Sequence, residues 1–241
     1  MQAKKAKFID IDYNTVFDIS KGPTFYDEEA QELVGYWTDG KRIYWGTYIV
    51  EADIDSFVYF NRLFAKDKKN CFLQAKTLRN TDCETFEALN NCFAKDKNSV
   101  WTTGGRFEPA DIKTFEVCDD GICKPNKPTK HYFKDNTIKE IFIKVPYGYA
   151  KDAQNVYYEN FQGKIKVLNK VNAEMFCSNN DGYYGWDDKN VFYGKNILPK
   201  ANPKAWRIID ENGLYSKDDK SIFYLNKRMT DVDYDNFVVP K

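Results

Sequence analysis

Residues able to do chemistry are few in this sequence, and their spacing suits chemistry poorly. The single histidine, His131, lies in a basic, Pro-flanked stretch. A Ser-His-Asp or Cys-His site would have to be built on that one imidazole. A solvated or hydrogen-bonded side chain is the simpler reading. Six cysteines stand at positions 71, 83, 92, 118, 123 and 177 without a CxxC pair, so neither a zinc ribbon nor a thioredoxin-type motif is indicated. Cys118 and Cys123 flank Asp-Asp-Gly-Ile, a turn that could join them as a disulfide in an oxidising compartment. The alternative is a buried free thiol, since repeat alignment sets Cys118 opposite Leu89, a core position. Asp10-x-Asp12-x-Asn14 and Asp231-x-Asp233-x-Asp235 open with the spacing of a calcium loop. The first lacks the required Gly and closing acid, and the second reaches the last residue too early. Alternation on the wet face of a strand explains both, so no catalytic residue, metal or cofactor is expected.

Aromatic side chains are the better functional candidates. Tyr44-Trp45, Tyr157-Tyr158 and the Tyr183 to Trp186 stretch each place neighbouring rings on opposite sides of a strand, one toward the core and one toward solvent. Tyr and Trp are enriched at binding hot spots. With Asp119, Asp120 and His131 these residues make up the expected partner-binding set.

The elements that must position them come from a repeated phrase. Phe64-Ala-Lys-Asp-Lys-Lys-Asn-Cys-Phe72 reappears from Phe93 to Trp101, Tyr149 to Tyr157, Tyr184 to Phe192 and Tyr215 to Phe223. A second segment, of the type Ala52-Asp-Ile-Asp-Ser-Phe57, closes on an aromatic at 57, 86, 115, 176, 206 and 237, in steps of 29, 29, 61, 30 and 31. The double step marks a degenerate or missing unit. In the first segment Asp and Asn favour a turn between two short strands, which reads as a β-hairpin with its Lys-Asp pair as turn and surface residues. In the second, Asp or Asn resembles an N-cap and Pro203 occupies a first helical position, which predicts a single helical turn. Short strands such as Phe115 to Cys118 and Trp206 to Ile209 lead onward.

The expected fold is therefore mainly β with short helical turns. Tandem repeats of about 29–31 residues (hairpin, helical turn, strand) stack into an elongated array. Residues 1–34 are an N-terminal cap, 35–118 hold repeats 1–3, 119–146 form an irregular insert with a degenerate repeat, and 147–241 hold repeats 4–6. Composition agrees. Phe, Tyr and Trp number 18, 17 and 5, and mean hydropathy is −0.67, which suits thin aromatic cores in stacked units. Acidic and basic residues balance at 36 each, which argues against nucleic acid as the partner. No apolar run is long enough to span a bilayer.

Ala65-Lys-Asp-Lys-Lys-Asn70, Lys151-Asp-Ala-Gln-Asn-Val-Tyr-Tyr158 and Asp188-Lys-Asn-Val-Phe-Tyr193 resemble the motif of the DKNYY repeat family, from about Tyr36 to Val239. Cys71, where other copies have Val, and the eroded central unit depart from the pattern. The resemblance implies a bacterial protein, often of the cell envelope, and brings no catalytic residues. With the repeat surface it points to a non-enzymatic protein binder. The reading is an immunity protein that neutralises an interbacterial toxin, such as a type VI secretion effector, and is a monomer when free. A cell-envelope module that recognises glycan or another envelope protein is the alternative. The expected compartment is the envelope or periplasm if a leader precedes this chain, and the cytoplasm otherwise.

Overall fold

The computed structural model describes residues 4–5, 25–27, 32–123, 129–132, 138–141, 145–162 and 164–240. Among these residues there is strand and turn but no helix. Six antiparallel sheets of three to five strands follow one another along the chain, beside two two-stranded hairpins, of which one pairs Phe25–Asp27 with Glu32–Val34. The first has three strands, Tyr36–Thr38, Ile43–Trp45 and Tyr48–Val50. The second shows the full unit: Val58–Tyr59, Phe64–Lys66, Cys71–Leu73 and Lys76–Thr77 form a meander. Lys4–Lys5 adds to it along Val58–Tyr59. The third, fifth and sixth sheets repeat the meander over 87–107, 177–197 and 207–228.

The fourth sheet differs. Its first strand, Glu116–Val117, precedes the insert, while Gly148–Lys151, Val156–Glu159 and Lys166–Val167 follow it. The insert thus lies inside a unit, in the loop between that unit's first two strands. It carries its own hairpin, Thr129–Tyr132 paired with Ile138–Ile141.

Each position of the repeated phrase has a distinct physical task. Its opening aromatic is core: Phe64, Phe93, Tyr149 and Tyr184 are fully buried. The next residue must be small, because the closing aromatic of the preceding turn lies over it. A Cβ built on Gly185 would come within 2.9 Å of the Phe176 ring, and Ala65, Ala94 and Ala150 fill the same site elsewhere. The lysine reaches forward: Lys66 Nζ donates to the carbonyls of Cys83 and Phe86 at 3.0 and 3.4 Å, and Lys151 Nζ to that of Phe176 at 3.5 Å.

The aspartate reaches both within its hairpin and backward. Asp67 Oδ1 accepts the N–H groups of Lys69 and Asn70 at 2.7 and 2.6 Å, which closes the hairpin turn. Its Oδ2 accepts the N–H of Asp53, in the preceding turn, at 2.9 Å. Asp96, Asp152, Asp187 and Asp218 repeat this, with Oδ2 bonded to the N–H of Asp82, Asp111, Asn172 and Asn202 at 2.7 to 3.1 Å. All five carboxylates are buried, at 2–5 % exposure. These aspartates were expected at the surface, and their burial corrects that reading. A carboxylate offers two acceptor oxygens whereas an amide offers one, so a side chain that accepts N–H groups of two segments on separate oxygens must be Asp and cannot be Asn. Asp39, at the same position of the first sheet, caps Lys41 and Arg42 in the same way, but its Oδ2 accepts the Tyr44 hydroxyl at 2.9 Å.

The segments expected as helical turns are single hydrogen-bonded turns. Asp82 Oδ1 accepts both the N–H and the hydroxyl of Thr85 at 3.0 and 2.8 Å, and Asp53 serves Ser56 likewise. This is N-cap chemistry without a helix behind it. The chain goes directly into the next strand, leaving no length for further helical hydrogen bonds.

Both faces of the inner sheets are covered. Five aromatic clusters each join two consecutive sheets, for example Phe93, Phe115 and Tyr157 between the third and fourth, and Tyr149, Tyr158, Phe176 and Phe192 between the fourth and fifth. Tyr157 and Tyr158 therefore face opposite sides of one strand and are both buried, at 0 and 6 %. One of these rings was expected in solvent; the neighbouring unit covers it.

A further tie runs through the loop before each hairpin. Asn61 Oδ1 accepts the N–H groups of Leu63 and Phe64, and its Nδ2 donates to the Asn90 carbonyl at 2.9 Å. Asn90 does the same for Cys92 and Phe93, and donates to the Asp119 carbonyl at 2.9 Å. The disulfide also falls elsewhere than expected. Cys71 pairs with Cys83, with Cα atoms 5.8 Å apart, and no disulfide joins Cys118 to Cys123. The backbone explains the correction. Cys118 N–H bonds the Tyr149 carbonyl inside the fourth sheet, whereas Cys123 N–H bonds that of Val145 at the base of the insert.

Two predictions follow from these bonds. Asp96→Asn keeps the shape of the side chain but turns an NH2 group toward the Asp82 N–H and the Trp101 indole, which donates to Asp96 Oδ2 at 3.2 Å. It should cost about 1–3 kcal/mol of unfolding free energy, while Lys69→Ala, exposed on the corresponding turn of the preceding unit, should stay within about 0.5 kcal/mol; urea titration of the two variants measures the difference. The second prediction concerns pH. The Lys68 and Lys97 ammonium groups, helped by Ser56 and Thr85, hold Asp53 and Asp82 down to about 2 from an ordinary 3.8. A depressed carboxylate stabilises the fold above its unfolded pKa and loses that contribution as pH falls through its folded one. Urea midpoints should therefore drop between about pH 4 and pH 2, and the Lys68→Ala, Lys97→Ala double variant should show a shallower drop.

Candidate functional site at the root of the insert

The repeat breaks at Asp119, and there the polar side chains form a knot. Asp119 stands four residues after the closing aromatic Phe115, at the place of Asn61 and Asn90 in earlier units. Its Oδ1 accepts the Gly121 N–H at 2.9 Å, and its Oδ2 accepts the Tyr149 N–H at 3.1 Å and the Ser178 hydroxyl at 2.8 Å. One carboxylate thus holds the segment that leaves for the insert, the strand that follows the insert, and the first strand of the fifth sheet. Burial is the main influence on this group, and it raises the carboxyl to about 6 against the opposing effect of those three donors. Gly148 is required beside it, since a Cβ there would collide with Asp119 Oδ1.

Next to it, Asp120 and Asn180 hold each other in both directions. The Asp120 N–H donates to Asn180 Oδ1 at 2.7 Å, and Asn180 Nδ2 donates to Asp120 Oδ2 at 2.9 Å. Asp181 Oδ1 caps Tyr183 and Tyr184 at 2.7 and 2.8 Å. An aromatic wall backs the knot. The Tyr183 ring stacks on Tyr193 at 5.4 Å and meets the edge of Tyr147 at 5.8 Å, and its hydroxyl touches Cys123 Sγ. Tyr149 OH donates to the carbonyls of Tyr183 and Gly194 at 2.7 and 2.9 Å, and Tyr158 OH to that of Gly182 at 2.9 Å. Gly194, with φ of +56° and the Tyr158 ring 2.9 Å from a built Cβ, opens the turn that makes this approach possible.

The structure gathers part of the expected set here: Asp119, Asp120, Tyr158 and Tyr183. Others lie apart. Tyr44 stacks on Trp37 at 4.2 Å and Trp45 Nε1 donates to the Arg62 carbonyl at 2.8 Å, both at the first sheet. Tyr157 is buried on the opposite face of the fourth sheet, with its hydroxyl on Asp152. Trp186 is half-buried 5.9 Å from Trp206, in the fifth sheet. His131 lies in the insert strand Thr129–Tyr132, and its side chain is outside the described residues. Ser178 and Asn180 escaped the sequence reading, although Asn180 shares the four-residue offset with Asn61, Asn90 and Asp119.

Chemically, the arrangement is a latch. The Ser178 hydroxyl meets a carboxylate and the Tyr184 carbonyl, and both Asp119 oxygens receive donors. Among the described residues no group of three His, Cys, Asp or Glu side chains could hold a metal ion. Asp233 caps the N–H groups of Asp235 and Asn236, a turn where a calcium loop was weighed, and the 10–14 cluster lies outside the described residues. A polar groove of about 730 Å³ runs beside the next junction, between the Ala153–Gln154 turn and residues 170–174 and 187–190.

The same phrase that builds these turns identifies the chain. The model of the DKNYY family matches residues 2–139 and again residues 105–227, two passes that overlap over residues 105–139. No curated protein and no solved structure matches the chain. With matches over most of its length, on the residues that tie unit to unit, the chain belongs to the DKNYY family.

Proposed function

We propose that this DKNYY protein acts by binding a protein partner, as an immunity protein that neutralises an interbacterial toxin such as a type VI secretion effector. One observation carries the reading. The repeated residues that could do chemistry, the five turn aspartates and the Asn61–Asn90–Asp119 series, are committed on both sides to backbone groups. They hold a scaffold, and recognition falls to what interrupts it. Clusters that join each sheet to the next in chain order support an elongated stack with the insert projecting from one unit. The free protein is a monomer in this reading.

The Cys71–Cys83 disulfide favours a second reading, since such bonds persist in oxidising compartments. In that reading the protein is a cell-envelope module that recognises glycan or another envelope protein through half-buried rings such as Tyr44, Trp45 and Trp186.

Co-expression with the product of each adjacent gene, followed by mass measurement of the purified material, separates the two. The immunity reading expects a 1:1 complex and protection of cells from that product. Binding to no adjacent gene product, together with retention on a glycan array, would replace it with the envelope reading.

A further inference from the structure

The joint between the fifth and sixth sheets departs from the others at three places together. Where the second and third sheets meet, the opening aromatic, the closing aromatic and the small residue beneath it are Phe64, Phe86 and Ala94, all apolar and in one cluster. Phe93, Phe115 and Ala150 repeat this at the next joint. At the fifth–sixth joint the same places hold Tyr184, Trp206 and Ser216. A phenol, an indole N–H and a hydroxyl thus stand where those joints are apolar.

The structure brings the three side chains together. The Tyr184 and Trp206 rings are 4.9 Å apart. Ile208 pairs with Ser216 in the register that pairs Ser178 with Gly185. That register lays Phe176 over Gly185, and so lays Trp206 over Ser216. The Ser216 hydroxyl is near enough to the Tyr184 phenol to offset part of the rise that burial causes. Tyr184 and Ser216 are both 0 % exposed, and Trp206 is half-buried with its Nε1 shielded from solvent. Among the described residues, none of the three polar atoms meets a partner, or another of the three, at hydrogen-bonding geometry. Every residue from 177 to 228 is described, so both sheets that wall the joint are included. Tyrosines at the same place elsewhere do bond directly: Tyr36 and Tyr149 each donate to two carbonyls of the following unit.

Buried polar groups in folded proteins are hydrogen-bonded, to protein or to ordered water. We propose that the fifth–sixth joint is a binding site for a buried water molecule, held by the Trp206 indole and the Tyr184 and Ser216 hydroxyls. The indole N–H only donates, so the water accepts from it; each hydroxyl both donates and accepts, so the water bonds either one in the direction left over. Three partners is the usual number for a buried water. The second–third and third–fourth joints are closed by apolar contact, and this one by a solvent bridge. The inference does not depend on what the protein binds.

A high-resolution crystal structure of the full chain, with thermal unfolding of its variants, tests this. The crystal should show a water oxygen about 2.7–3.2 Å from Trp206 Nε1 and from at least one of the two hydroxyls. An indole N–H bonded directly to a protein group, or with no water beside it, overturns the proposal. Ser216→Ala removes one partner of the water and should lower the unfolding midpoint by about 2–4 °C. In a Tyr184→Phe, Trp206→Phe background the same change should leave the midpoint unchanged or raise it, because the joint then carries the Phe, Phe, Ala set of the second–third joint. Comparing one change in two backgrounds cancels the cost of trimming the indole. An equal loss in both backgrounds overturns the proposal. Circular dichroism shows that each variant folds, and if the background variant does not, the crystal result decides.

Discussion

A carboxylate buried in a hairpin turn, with one oxygen on its own loop and the other on the turn before it, is the interaction that the rest of this molecule depends on. Each unit buries little by itself: its strands are two to four residues long and its core is a few rings. A lone sheet of that size is marginal in water. The aspartate makes the turn rigid and the junction specific in one step, since removing it strands N–H groups in two segments. Burying a charge is costly unless it is fully hydrogen-bonded, and Asp152 shows how the cost is met. Burial, the largest influence, pushes its carboxyl up, but the Tyr157 hydroxyl and the N–H groups of Asp111, Gln154 and Asn155 outweigh it and hold it below its ordinary value.

The same logic explains the residues around it. Aspartate reaches the N–H of the previous turn in each of five units, and in the units of Lys66 and Lys151 the lysine before it reaches a carbonyl of the next turn, so adjacent residues tie those units in both directions. Alanine, glycine or serine precedes them because a closing aromatic must lie flat over the strand. Opening tyrosines add a longer tie: Tyr36 OH bonds the carbonyls of Leu63 and Gln74 at 2.7 and 3.1 Å, as Tyr149 OH does those of Tyr183 and Gly194. The phrase is thus an assembly device, and its recurrence reports architecture more directly than activity.

Much of this architecture was legible because turns and alternation are local. The hairpins, the short strands Glu116–Val117 and Arg207–Ile208, and the unit length could be read from residue types alone. What could not be read depends on neighbours far along the chain. Tyr158 looks solvent-facing until the fifth sheet covers it. Asp67 looks like a surface turn residue until Asp53 is placed above it. An Asp-x-x-Thr segment has the same N-cap signature whether a helix or one turn follows. Cys118 and Cys123 are close in sequence, yet the chain diverges between them, and the pair that forms joins a strand to a turn 12 residues on. The insert root was found by its irregularity, but its partners Ser178 and Asn180 lie 59 and 60 residues from Asp119 and Asp120.

Amide hydrogen exchange tests the central claim most directly. The N–H groups of Asp53, Asp82, Asp111, Asn172 and Asn202 lie outside every strand, and by their position alone would exchange as loop amides do. If each is held by the carboxylate of the following unit, all five should be protected to the level of the strand amides of Ala65 and Phe72. Exchange at the rate of exposed turn amides such as Asp219 would contradict the account.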